Sequence, residues 1–346
     1  MDSFQLKRRD FLWGLVGLSG SVITRQSPFN PIFARRLRCN GAGASFPALI
    51  FQRWFMEYQK INHRIHTNYY SIGNDLGIQE FMSNKVEFSA IDGIVDDAMM
   101  ALISKEAIVV PVTAGSVVVA YTNRDVDNLK LTAQQLGDIF LGKIKDWKEL
   151  GAAESKSIKV VYHSDDSGTT QVFSQYLTQA NFPQRRKIDI SKFKGIGAKG
   201  NEGVSATVSQ TDGAIGYVGL GFAQKHYLKT AQLQNKKGDF VMGNVQNISF
   251  SSSELSTNLK TFDTDYNGLV RSHVEDDSYP IINFSWIITH KKDFNATMDS
   301  SIKNFLNWVL CKDGGQKYAT ELGYLPLPND IGSPSYPLPW GEGFAE

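Results

Sequence analysis

From Gly41 onward, short strand-like and helix-like segments alternate, and the strand-like ones end in small or acidic residues. "GAGASFPALIFQRWFMEYQK" (41–60) starts as a small-residue loop and turns helical, with Leu49, Ile50, Trp54 and Phe55 spaced for one apolar face. "HTNYYSIG" reads as a strand closed by a glycine turn, "LGIQEFMSNKV" as a helix and "EFSAID" as another strand. This order implies an α/β fold with an open, largely parallel sheet. In such sheets ligands sit beyond the carboxyl ends of the strands. "SIGND", "SAID" and "VVYHSDDSGTT" all fall there.

Two longer β-rich stretches interrupt the alternation. "AIVVPVTAGSVVVAYTN" (107–123) is long enough to run between two domains, and "YPIINFSWIITH" (279–290) can carry the chain back. "LTAQQLGDIFLGKIKDWKEL" reads as a helix and loop, with apolar Leu136, Ile139 and Phe140. "MDSSIKNFLNWVLCKDGGQKYATELG" (298–323) reads as a long final helix. At 346 residues the chain is long enough for two domains of ordinary size.

The first residues are expected to lie outside this fold. "KRRDFLWGLVGL" sets Arg8 and Arg9 before an apolar run that ends near Ile23, too short for a comfortable membrane span. A basic start and a short apolar core make residues 1–34 an export signal of twin-arginine-like type. The whole chain carries 36 Lys and Arg against 35 Asp and Glu. Removing Lys7, Arg8, Arg9 and Arg25 together with Asp2 and Asp10 leaves 32 basic against 33 acidic residues. No basic face for nucleic acid is expected, and an anion has to be held by local geometry. With only Cys39 and Cys311, no C-x-x-C motif exists, and spacing alone does not show whether the two pair.

Two loops carry the chemistry. In "HSDDSGTT" (163–170), Gly168 lets the backbone approach a ligand, Ser167 and Thr169 offer hydroxyls, and a helix follows. A helix start leaves N–H groups unpaired and carries partial positive charge, which suits an oxyanion. The same residues also suit a plain helix cap. Asp165 and Asp166 lack the spacing of a calcium loop, and no G-x-S-x-G elbow is present. "GAGASFPA" (41–48) repeats the logic, with the Ala44, Ser45 and Phe46 amides expected free to point at a ligand.

With these loops in hand, the chain resembles the substrate-binding protein of the bacterial ABC phosphate importer over nearly its whole exported length. The carrying motifs are "GAGASFPA" (41–48), "VEFSAID" (86–92), "LGDIFLGKIKDW" (136–147) and "DSGTT" (166–170). "GAKGNEGV" (197–204), "GAIGYVGL" (213–220) and "GYLPLP" (323–328) follow in order. The resemblance implies a two-domain periplasmic binding protein fold of type II, each domain a mainly parallel sheet flanked by helices. One domain is expected at 35–116 with 284–346 and the other at 117–283, with the ligand in the cleft between them. It implies phosphate donors at Ser45, Phe46, Ser167, Gly168 and Thr169. It also implies that Asp92 accepts a proton from the ion, which favours protonated phosphate over sulfate because an ionised carboxylate only accepts.

The same resemblance marks three departures. His163 stands where the family has a phosphate-binding arginine, so a fork of always-charged donors is exchanged for at most two. Gly73-Asn74-Asp75-Leu76-Gly77 replaces a Gly-Ser-Ser-Gly-Gly turn; Asn74 can still donate, while Asp75 adds negative charge. Asp166 replaces a glycine. The expectation is a monomeric, periplasmic, non-enzymatic binder of inorganic phosphate that serves a membrane ABC permease, without cofactor, metal or nucleic acid. The alternatives are a binder of another tetrahedral oxyanion, a weak-binding phosphate-response regulator, or a phosphatase using the same loop. The six histidines form no H-x-H or H-E-x-x-H pattern that would favour the last.

Overall fold

Three parallel strands open the fold: β1 (Leu37–Gly43), β2 (Ile65–Ser71) and β3 (Phe88–Asp92), with β1 in the middle. In this computed structural model, residues 37–93, 103, 107–181, 191, 193–248, 275–294 and 300–327 are described. The expected export signal therefore lies outside the described residues, except that the described chain begins soon after it. Gly43 is level with Ser71 on one side and Ala90 on the other. The loops after all three strands thus leave from one edge of the sheet.

Helices α1 (Ala48–Ile61) and α2 (Asn74–Met82) make the crossovers. Ile50, Phe51, Trp54, Phe55 and Tyr58 of α1 recur at helical spacing and are buried. Trp54 adds a hydrogen bond from Nε1 to the Gly315 carbonyl, 2.7 Å, so its one polar atom is satisfied inside the core. Burying side chains of this size contributes about 1.5–3 kcal/mol each.

The long β4 (Ala107–Tyr121) joins two halves of the sheet. Its first part pairs antiparallel with β12 (Ile282–His290) and β13 (Tyr324–Leu325). Its last residues pair with β8 (Ala214–Gly219) and β9 (Lys229–Thr230). Beyond β8 lie β6 (Lys159–His163) and β7 (Ile196–Ala198), parallel to one another, with β6 also parallel to β8. The whole order is β2-β1-β3-β12-β4-β8-β6-β7, with β13 and β9 attached to β4. A small separate sheet, β11 (Phe240–Met242), β10 (Gln232–Gln234) and β5 (Lys130–Leu131), stands apart.

The expected alternation is present, and both flanks are parallel. The two central strands, however, run antiparallel to their neighbours, because β4 carries the chain across and β12 brings it back. Their register slips between Ser285 and Trp286, opposite Thr113 and Pro111. Pro111 has no N–H for a ladder, and one extra residue on β4 absorbs the defect as a bulge.

The second half is covered by α3 (Ala133–Phe140), α4 (Gly168–Asn181), α5 (Gly200–Gln210) and α6 (Leu220–Lys225). Thr132 and Gln135 close a capping box at the start of α3. The Phe173 and Tyr217 rings stack at 4.1 Å between α4 and β8. The register His163 to Ala198 brings the loops before α4 and α5 to the same edge.

The final helix is shorter than expected: α7 spans Ser301–Leu310, and single 3₁₀ turns follow to Leu322. Gly314 and Gly315 break it, and the Gly315 N–H turns back to the Trp308 carbonyl at 2.8 Å. Both cysteines are free thiols, Cys39 buried in β1. The Ser301 hydroxyl donates to the Arg38 carbonyl, placing the start of α7 beside Cys39. Cys311 lies at the far end of that helix, about 15 Å along it, beyond the reach of a disulfide.

Candidate functional site

The edge to which these loops converge is centred on Asp92, the last residue of β3 and 2% exposed. Every partner of its carboxylate is a donor. Oδ1 accepts from the Gly168 N–H at 3.1 Å, and Oδ2 from the Thr169 hydroxyl at 3.0 Å and the Asn283 amide at 2.8 Å. Burial pushes the carboxyl above its usual range; Asn283, Thr169, His163 and the Gly168 N–H pull in the other direction. A negative group thus sits on the start of α4, where unpaired N–H groups favour it.

The approach is closer than any side chain at two positions would permit. A Cβ on Gly168 would lie 2.1 Å from the Asp92 carbonyl oxygen, and one on Gly93 would lie 2.4 Å from Gly168 Cα. Gly93 also has φ +84°, a region that favours glycine. Its N–H donates to Asn283 Oδ1 at 2.8 Å, so Asn283 holds both the Asp92 side chain and the next peptide.

The β1–α1 turn faces this centre. The Ser45 hydroxyl accepts from the backbone N–H and the side-chain amide of Asn201, both at 2.9 Å. Phe46 buries its ring edge-on to Tyr324 at 5.6 Å, and its carbonyl accepts from the Tyr324 hydroxyl at 2.5 Å. The Ser45 and Phe46 N–H groups have no partner among the described residues. Ala44 differs from expectation: its N–H donates to the Ala90 carbonyl at 2.8 Å, continuing the β1–β3 ladder, and is not free for a ligand.

Asn74, fully buried at the start of α2, clamps the backbone of Asp92. Its Nδ2 donates to the Asp92 carbonyl at 3.0 Å, and its Oδ1 accepts from the Asp92 N–H at 3.3 Å. The amide donor anticipated for a ligand is therefore directed to the strand end.

On the other half, His163 closes β6 with its side chain fully buried, over Tyr217 at 5.2 Å between ring centroids. Neither ring nitrogen has a hydrogen-bond partner among the described residues. Nδ1 lies 3.6 Å from Asp165 Oδ1, within ion-pair range but too long for a hydrogen bond. Burial works against ionisation of Asp165; His163 and the Gly200 N–H, which donates to it at 2.8 Å, outweigh this and hold its carboxyl below the usual range. Ser167 is buried, and its carbonyl accepts from Gln171 N–H in the first turn of α4.

Three polar residues at the site were not anticipated: Asn201, Asn283 and Tyr217. Asn201 joins the halves, bonding Ser45 Oγ, Thr169 Oγ1 at 3.3 Å and, through Oδ1, the Gly219 N–H at 2.8 Å. Tyr217 bonds Thr170 Oγ1 at 2.8 Å beneath α4. A signal existed for the asparagines, since each is a polar residue in a segment that folds into the interior, where such groups must be paired. Asn201→Ala strands the buried Gly219 N–H, while the Ser45 and Thr169 hydroxyls lose one donor each and keep the residue-201 backbone N–H and Asp92 as partners. We expect a loss of about 1–3 kcal/mol in chemical denaturation, and an unchanged midpoint would show that these bonds contribute nothing.

Two helix starts are brought to one sheet edge, with a buried carboxylate at one of them and Asn201 linking the two, an arrangement chemically suited to an anion. A family model described as the PBP superfamily domain matches residues 34–313. The chain is 33% identical over 306 residues to the phosphate-binding protein PstS of Pasteurella multocida, covering 84% of this chain and 86% of that one. It is 31% identical over 314 residues to the PstS of Haemophilus influenzae, covering 86% and 91%. A solved phosphate-binding protein from Stenotrophomonas maltophilia superposes with TM-score 0.62 at 19% identity, over 84% of this chain and 91% of that one, which shows the shared fold. The chain belongs to the PBP superfamily and, within it, to the PstS family of phosphate-binding proteins.

Proposed function

We propose that the protein captures inorganic phosphate and presents it to a membrane ABC permease. The observation that carries this reading is the carboxylate of Asp92, set among donors at the start of α4 and linked through Thr169 and Asn201 to Ser45, whose N–H, like that of Phe46, has no partner among the described residues. Phosphate bound between them presents acceptor oxygens to both helix starts, and its own O–H to Asp92. Ser45, Phe46, Ser167, Gly168 and Thr169 are the donors; His163 adds a donor on the Asp92 side, and Asn74 acts by fixing the Asp92 backbone. Because Gly168 and Thr169 also serve Asp92, the ion takes its place beside one anionic group already on that helix, and the charge balance is strict.

In this reading the segments 35–116 with 284–346 and 117–283 close on the ion as two bodies, with β4 and β12 as the crossings. Residues 1–34 export the chain to the periplasm, and the closed, phosphate-loaded monomer engages the permease. A hydrolytic reading fits less well, because among the described residues neither nitrogen of the buried His163 is hydrogen-bonded to a hydroxyl it could activate.

Calorimetric titration with phosphate, arsenate, sulfate and molybdate tests the proposal. Phosphate and arsenate, which keep a proton near neutrality, are expected to saturate one site, and sulfate is not. Saturation by sulfate or molybdate with no response to phosphate would assign the site to another oxyanion.

A further inference from the structure

The rim of the site carries two carboxylates from opposite halves of the sheet. Asp75 lies in the first turn of α2, and Asp166 lies just before Ser167 and α4. The backbones meet here: a Cβ on Gly73 would lie 3.4 Å from the Asp166 carbonyl oxygen. The Asp75 and Asp166 carboxyls are within hydrogen-bond reach of each other. Two ionised carboxylates offer each other only lone pairs. Their contact is attractive when one of them holds a proton and repulsive when neither does.

We propose that Asp75 and Asp166 form a proton-sharing bridge across the mouth of the site, so that closure is favoured in acid and the singly charged, protonated oxyanion is the form captured. The proposal deepens the phosphate reading and rests on it for the ligand, while the bridge itself belongs to the ligand-free protein.

The surroundings place the proton on Asp166. Its carboxyl is pushed up to about 6 by desolvation and by the charges of Asp75 on α2, Asp92 on β3 and the adjacent Asp165. Asp165 does not compete for the proton, being held below the usual range by His163 and the Gly200 N–H against the effect of its own burial. Lys199 and Glu202 line the adjoining cavity of about 340 Å³ together with Ser45, Gly73 and Asp165. Among the described residues Lys199 is the one cation lining it, against the two acids Asp165 and Glu202. With the family arginine exchanged for His163, the rim has gained negative charge while the centre has lost a fixed positive one. A doubly charged ion meets the full repulsion of the two rim carboxylates; a singly charged ion in acid, with Asp166 protonated, meets less of it.

The sign follows from linkage. A carboxyl whose pKa is raised by folding stabilises the folded state fully below its unfolded value, about 3.9. That contribution is lost as pH rises through the folded value, about 6. Both residues remain accessible to solvent, so water and salt limit the effect to a few-fold.

The test compares the parent with Asp166→Asn and Asp75→Asn, which keep shape and remove charge. In thermal unfolding of the ligand-free chain, the parent is expected to lose stability between about pH 4 and 7 more steeply than either variant. In phosphate titrations, either variant is expected to bind about three- to tenfold tighter than the parent near pH 8, and to match it near pH 5. The residual pH dependence shared by all three belongs to Asp92, whose carboxyl is raised by burial, and to the ion itself. Variants that melt and bind like the parent at every pH would overturn the bridge. Should the melting difference appear while phosphate fails to saturate the parent at any pH, the bridge stands and the phosphate reading falls.

Discussion

Gly168→Ala is expected to lower phosphate affinity about a hundredfold or more, while the chain stays folded. The added Cβ would lie 2.1 Å from the Asp92 carbonyl oxygen, 2.2 Å from its carbonyl carbon and 2.5 Å from the Gly93 nitrogen. These are backbone atoms of a central strand, held in register by β12 on one side and β1 on the other, and they cannot step aside. The start of α4 has to withdraw by about 1 Å, which takes its N–H groups out of hydrogen-bond range of anything seated at Asp92. Losing two hydrogen bonds to a charged group, at about 1.5–3 kcal/mol each, accounts for the factor. Helix weakness is not a competing explanation, because alanine is the better helix former at this position. Far-UV circular dichroism should therefore be retained while calorimetric binding is lost. Parental affinity in this variant would show that α4 and β3 do not meet around the ligand.

Asp92→Asn is expected to weaken phosphate binding and to reduce the preference for phosphate over sulfate by about a hundredfold or more. Oδ2 takes two donors and Oδ1 one. The best rotamer of an asparagine keeps its oxygen facing Thr169 and Asn283 and turns its NH₂ toward the Gly168 N–H, donor against donor. The buried N–H left unpaired costs about 1–3 kcal/mol. Selectivity falls for a separate reason: the acceptor for the proton of phosphate is gone, and sulfate, which brings no proton, is no longer penalised. Burial raises the Asp92 carboxyl in the folded protein, so its stabilising contribution is present in acid and declines as pH rises through the folded value. The asparagine variant should lack that component of the pH dependence. An unchanged phosphate-to-sulfate ratio would mean that Asp92 does not receive the ligand's proton.

Both expectations depend on residues whose types were visible in the chain and whose distances were not. The alternation of strand and helix, the apolar face of α1 and the long β4 follow from local periodicity, which side-chain burial imposes directly on sequence. The loops at 44–46 and 166–170 were legible for a similar reason. Small residues before a helix have few conformational uses, and an anion site is one of them. Asp92 stood out by its place at a strand end.

Tertiary structure alone decided the pairings. That Gly168 rests on Asp92 depends on the order β3-β12-β4-β8-β6 and on the two antiparallel central strands, and strand order is set by long-range contacts that no local window contains. The Ala44 amide was lost to the β1–β3 ladder because register, not residue type, determines which N–H is consumed. Asn201 and Asn283 became organisers of the site only when residues more than 150 positions away, Ser45 and Asp92, were brought against them. The sequence by itself determined which segments could be strands, helices and anion-facing loops, because those depend on the chemistry of neighbours along the chain. Which donor faces which acceptor was determined by packing, because a hydrogen bond requires positions fixed to a few tenths of an ångström, and only the assembled sheet supplies that.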